Sequence, residues 1–127
     1  MKPVYIINGF LESGKTEFIT YTISQPYFQI RGKTLLIVCE EGEVEYDADI
    51  LRKSRTVMEV IDEESEFTPE NLIELEKKYK PERIIVEYNG MWTIDHMVEA
   101  LEGTPLMIFQ TIVSANAETF DLYMNNM

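Results

Sequence analysis

Cysteine is almost absent from this chain: Cys39 stands alone among 127 residues. A single thiol excludes an internal disulfide framework and, by itself, any thiolate-based zinc site; a reducing, cytoplasmic setting is the expectation. Basic residues are scarce as well, 11 against 23 acidic side chains, for a formal net charge of −12. A nucleic-acid-binding module needs a basic face, and an anionic membrane surface repels such a chain, so neither partner is expected. Long apolar runs are missing. Nothing approaches the roughly 18 residues of a spanning helix, and the run Val4–Ile7 stops at Asn8-Gly9, too short for the core of a signal peptide. Glycine and proline are few, and no repeat, low-complexity tract or linker interrupts the chain. One domain over residues 1–127 is expected.

What is present is a series of short, continuous, β-branched runs. Val4–Ile7, Thr34–Cys39, Thr56–Ile61, Arg83–Glu87 and Leu106–Val113 read as five strands, the third with an edge-like polar break. Unbroken apolar runs of this length are what parallel strands covered on both faces look like. Helix candidates lie between them. Lys15–Ser24 follows the first strand; Pro69–Tyr79 carries Thr68 as N-cap and proline at its first position; Ile94–Leu101 starts near Thr93 or Asp95; Phe120–Met124 opens a last helix. Strand alternating with helix predicts an α/β fold with a mainly parallel sheet.

Directly after the first strand comes Gly9-Phe10-Leu11-Glu12-Ser13-Gly14-Lys15-Thr16, the G-x-x-x-x-G-K-[ST] pattern of a phosphate-binding loop. Gly9 and Gly14 let the backbone wrap with its N–H groups turned inward, so Glu12 to Thr16 offer donors to phosphates. Lys15 supplies a point charge for the β- and γ-phosphate oxygens, and Thr16 a hydroxyl for magnesium. The helix that starts there adds the positive end of its dipole. By residue frequencies a chance match in this length is roughly one in a few hundred. The position between strand and helix is the one the chemistry requires, so the three-layer P-loop NTPase fold is expected.

Magnesium or its water shell needs a second acid, normally at the end of a neighbouring strand. Glu87, after Ile84-Ile85-Val86, is the best candidate, and a solvated strand end is its ordinary alternative; Glu40 and Glu41, after Leu36–Cys39, compete. They lead into an acidic stretch, six of the ten residues from Glu40 to Asp49, that could serve as a switch segment.

These residues resemble a family. Val4–Thr16 is similar to the opening of the CobW-type GTP-binding proteins, whose loop commonly reads G-F-L-G-[SA]-G-K-T. That family sits in the signal-recognition-like class of P-loop GTPases with the hydrogenase and urease nickel-insertion GTPases. Cys39-Glu40-Glu41-Gly42-Glu43 falls at the family's N-E-x-G-E-like segment, and Ile84–Gly90 at its apolar strand ending E-[ST]-[ST]-G. The resemblance implies binding and slow hydrolysis of GTP, with ATP the less favoured base, using Mg²⁺ and Lys15, Thr16 and Glu87, coupled to delivery of a metal to a client protein. The chain departs from the pattern in three places. It has no C-x-C-C metal motif, Tyr88-Asn89 replaces the paired hydroxyl residues, and no [NT]-K-x-D guanine-reading motif occurs. The expected reading is the N-terminal part of a longer protein, its fold incomplete at the C-terminus, with a compact short form as the alternative.

Other features carry ordinary alternatives. The acidic runs at 40–49 and 62–66 read as solvated loops before metal collectors, and His96 as a capping or surface histidine before a ligand. Trp92 looks exposed enough to report on a nucleotide. Arg52, Lys53 and Arg55 form a basic cluster, suited to pairing with the acidic loop or to reaching phosphate in trans within a homodimer. Two other functions stay open. A small-molecule kinase shares the loop but normally adds an arginine-rich lid, and this chain has four scattered arginines. A nucleotide-sensing module without turnover fits the missing motifs.

Overall fold

The computed structural model describes residues 3–9, 15–29, 31–39, 46–105 and 107–113, with the backbone alone at 8–9, 15–18, 27 and 107–113. Five strands form one sheet: β1 (Pro3–Gly9), β2 (Thr34–Val38), β3 (Thr56–Val60), β4 (Arg83–Asn89) and β5 (Met107–Val113). Four helices connect them: α1 (Lys15–Ile23), α2 (Ala48–Lys53), α3 (Pro69–Tyr79) and α4 (Ile94–Glu102). The strand order is β3-β2-β4-β1-β5, and every neighbouring pair is parallel. All five expected strands are present. The α/β class with a parallel sheet is therefore observed.

Alternation along each strand divides the core in two. Val4, Ile6, Leu35, Ile37, Ile84, Val86 and Tyr88 join Leu72 of α3 and Met97, Ala100 and Leu101 of α4 on one face. Ile7, Leu36, Val38 and Ile85 join Ile19 and Ile23 of α1 on the other, where Ile50 and Leu51 of α2 also pack. β2 and the interior of β4 are buried on both faces, which is why their sequences show no polar alternation. β3 is an edge strand, half-exposed along most of its length, as its polar break implies.

Local chemistry sets the helix bounds. The Thr68 hydroxyl accepts from the backbone N–H of Asn71, and Pro69 fills the first helical position. Thr93, not Asp95, caps α4 by accepting from the His96 N–H. Helix α2 is absent from the sequence reading. Its six residues are too short for a periodic apolar face, but Asp47 caps it with bonds from the N–H groups of Asp49 and Ile50. Part of the supposed acidic loop is thus a capped helix start. The last helix expected at Phe120–Met124 lies outside the described residues.

At the start of β4, the Arg83 guanidinium lies 3.5 Å from the centre of the Phe28 ring. It donates to Thr34 Oγ1 at 2.9 Å and to the Phe28 carbonyl. Burial pushes its pKa down to about 10. This clamp ties the turn after α1 to β2 and β4.

Two substitutions test the layering. Leu36→Ala, in a strand covered on both faces, is expected to cost about 2–5 kcal/mol in urea unfolding. Val60→Ala, 45% exposed on edge strand β3, is expected to stay below about 1 kcal/mol. Equal losses would contradict the two-faced burial of β2.

Candidate functional site

Parallel strands place all their C-terminal ends, and the N-termini of the helices that follow, along one edge of the sheet. Connections from β1 to β2 to β3 run one way across the sheet, with α1 and α2 on one face. Connections from β3 to β4 to β5 run back, with α3 and α4 on the other. β1 and β4 are adjacent, yet the helices leaving them depart to opposite faces. Their ends therefore flank a crevice, the place where open α/β sheets bind ligands.

The two ends of the phosphate-loop motif are at that crevice. β1 ends at Gly9 and α1 begins at Lys15, so the motif occupies the strand-to-helix turn, and Lys15 and Thr16 start the first turn of α1. Helix N–H groups and the positive dipole end point toward the same edge. Glu12, Ser13 and Gly14 lie outside the described residues, as does Glu41.

Glu87 sits one strand away. It is level with Ile7 on β1 and with Val38 on β2, while Gly9 is level with Asn89. β4 continues two residues past the expected end, so Glu87 is no solvated terminus: it is 1% exposed. Its side chain shares a face with Ile7 and Ile85, the face of α1. The Tyr46 hydroxyl donates to Glu87 Oε2 at 2.5 Å. A buried carboxylate is tolerated only with such partners. Sequence reasoning missed Tyr46; the available signal was an aromatic side chain inside an otherwise acidic stretch. An oxygen donor buried beside the phosphate-loop strand suits a hard cation such as Mg²⁺.

The residues after Glu87 turn away. Tyr88 faces α3 and α4, donates its hydroxyl to the Thr93 carbonyl at 2.6 Å, and packs edge-on against Phe67 and Trp92. Burial raises its pKa well above the ordinary phenol range. Asn89 Oδ1 accepts from the Met91 N–H at 2.8 Å. Glu64 accepts from the backbone and hydroxyl of Thr93 at 2.9 and 3.3 Å, fixing the start of α4. Trp92 is half-buried against the α3–α4 core, which corrects its reading as an exposed reporter. His96 Nε2 bonds to the Phe67 carbonyl at 2.9 Å. Among the described residues, no group of three or more His, Cys, Asp or Glu side chains converges on a metal-sized site.

A family model described as the CobW/HypB/UreG nucleotide-binding domain matches residues 3–118. The chain belongs to that family. No curated protein and no solved structure gives a significant match. As a CobW/HypB/UreG nucleotide-binding domain, the chain has a nucleotide as its ligand class, and the two ends of its phosphate-loop motif, Gly9 and Lys15-Thr16, lie at the β1 side of that crevice.

The Tyr46–Glu87 contact gives a direct test. Tyr46→Phe removes one donor to a buried carboxylate and is expected to cost about 1–3 kcal/mol in urea unfolding. Removing the hydroxyl of exposed Tyr21 by Tyr21→Phe should change stability by less than about 0.5 kcal/mol. Indistinguishable effects would mean that Tyr46 does not support Glu87.

Proposed function

We propose that this domain binds Mg-GTP at the β1–β4 crevice and hydrolyses it slowly, in the service of metal or cofactor delivery to a client protein in the cytoplasm. The observation that carries the reading is the pairing of two features on adjacent strands. A G-x-x-x-x-G-K-T motif spans the turn from β1 to α1, and a buried acid lies on β4 in register with Ile7. The preference for guanine over adenine rests on the family alone.

In this reading Lys15 and the backbone N–H groups of Glu12 to Thr16 bind the phosphates, and the Thr16 hydroxyl and Glu87 hold Mg²⁺. The ion's chemistry is to neutralise charge on the phosphate oxygens. The protein's share is positioning and electrostatic stabilisation, which dominate phosphoryl transfer. Lys15 is a compact charge at the start of a helix whose dipole already favours the anion. Tyr46 holds the Glu87 carboxyl in one orientation and links the segment after β2 to the end of β4. Movement of that segment would therefore be felt at the acid.

A second reading, binding without turnover, is favoured by the loop after Glu87. Tyr88 and Asn89 stand where the family has two hydroxyl residues. The Tyr88 hydroxyl and Asn89 Oδ1 are spent closing their own loop.

Thermal unfolding with GTP, ATP or no nucleotide, each with and without Mg²⁺, tests the site. Nucleotide at a hundred times its dissociation constant adds about 2.7 kcal/mol, a shift on the order of 10 °C for a domain of this size. Lys15→Ala should abolish the shift, while Glu87→Gln should keep nucleotide binding and lose the extra shift due to Mg²⁺. An unshifted parent, or a shift that survives Lys15→Ala, would overturn the proposed site. Phosphate release by the parent, measured in the same samples, separates turnover from sensing.

A further inference from the structure

The opposite edge of the sheet gathers basic side chains. A cleft of about 870 Å³ opens there, among the residues preceding β2 and β3 and the end of α3. Six cations line it, Arg31, Lys33, Arg52, Arg55, Lys78 and Lys80, and no carboxylate is among its lining residues. The chain has only 11 basic residues and a net charge of −12, so more than half of its cations converge on one cavity. Sequence order hides this, because the six are spread from position 31 to position 80.

An ordinary explanation covers part of it. Helix C-termini favour cations, and Arg52 and Lys78 lie in the last turns of α2 and α3. They are also paired, Arg52 with Asp49 at 3.0 Å and Lys78 with Glu59 at 3.5 Å. It also reaches Lys80, the C-cap residue of α3, and Arg55, which directly follows the C-cap Ser54 of α2, but not the other two cations. α1 and α4 end with no basic residue in the last turn. Arg31 and Lys33 belong to no helix, and among the described residues no ion pair engages Arg31, Lys33, Arg55 or Lys80.

Arg55 and Lys80, at φ 55° and 49°, are the two non-glycine residues of left-handed backbone among the described residues. Both line the cleft. At Lys80 this is the left-handed C-cap that commonly ends a helix, and Arg55 directly follows the C-cap Ser54 of α2, so helix termination places both residues beside the cleft. Arg55 is further fixed by donating to the Arg31 carbonyl at 2.5 Å, which joins two of the lining segments.

We propose that this cleft is a second anion site, which takes a compact small molecule bearing two or more phosphate groups. Arginines supply planar forks for phosphate oxygens and lysines supply point charges. Compactness follows from the rest of the surface. At physiological salt a charge is screened beyond about 8 Å, so a ligand seated within the cleft meets its cations. An extended polyanion would run on over a strongly acidic protein and be repelled. A nucleic acid or an acidic peptide is disfavoured for that reason. Asp49, Glu59 and Glu82, which contact lining residues from outside, give the cleft an acidic rim that penalises a large ligand further.

Calorimetric titration of the whole chain with myo-inositol hexakisphosphate at about 0.15 M salt tests the site. Octaglutamate and a short single-stranded DNA serve as the other probes. The expected result is saturable binding of the hexakisphosphate, unchanged in Lys15→Ala. Binding should weaken about tenfold or more in the double variant Arg31→Glu with Lys33→Glu, whose side chains are exposed. The milder Arg31→Gln with Lys33→Gln should fall between, which guards against misfolding of the reversed variant. Three results would overturn the assignment: no binding by the parent, loss of binding in Lys15→Ala but not in the cleft variants, or tighter binding of the peptide or the DNA than of the hexakisphosphate.

Discussion

Strand β4 sits hydrogen-bonded between β1 and β2, and the functional geometry follows from that placement. A strand in this position has no free edge and is covered by helices on both faces, so its interior must be apolar. Ile84, Ile85 and Val86 satisfy that demand. Glu87 violates it, and a buried acid in the most enclosed strand needs compensation. Tyr46, two residues before α2, provides part of that compensation. Adjacent to β4, β1 carries the phosphate-loop motif at the same edge. The parallel register is what brings the acid and the loop to one crevice.

The same register gives the molecule two chemically different ends. In a parallel α/β sheet the helices run antiparallel to the strands. Their N-termini gather where the strands end and their C-termini where the strands begin. One end offers free N–H groups to anions, and the other presents carbonyls that favour cations. Arg52, Lys53, Lys77 and Lys78 answer to that second demand, in the last turns of α2 and α3. Arg83 does so differently, as a clamp between Phe28 and Thr34.

How much of this was legible in the sequence depended on the range of the interactions involved. Apolar runs and caps are local signals, so the strands, α3 with Thr68 and Pro69, and the turn carrying Gly9 and Lys15 could be read directly. Helix α2 could not, because six residues show no period and their acids resemble a solvated loop. The role of Glu87 was half legible. Its place near the end of a strand was visible, but its burial depends on β1 and β2 flanking it and on Tyr46, 41 positions earlier. Trp92 was misread because its partner Tyr88 turns inward with the alternation of β4, and a short loop in isolation does not reveal that direction.

Charge was the least legible property, since composition sums what the fold separates. A net charge of −12 speaks for the average surface and for long-range repulsion of anions, yet it contains no information on where the few cations gather. Here the topology returns the chain to the start of a strand three times after β1 on one side of the sheet: at Lys33 before β2, at Arg55 before β3 and at Lys80, shortly before β4. Each return brings basic residues, and the three segments become neighbours around one cleft. Anions approaching from a distance meet an acidic particle, and local attraction acts only within about a Debye length of the cations. An acidic protein built this way discriminates by size as well as by charge, excluding long polyanions while leaving a small one a defined place to sit.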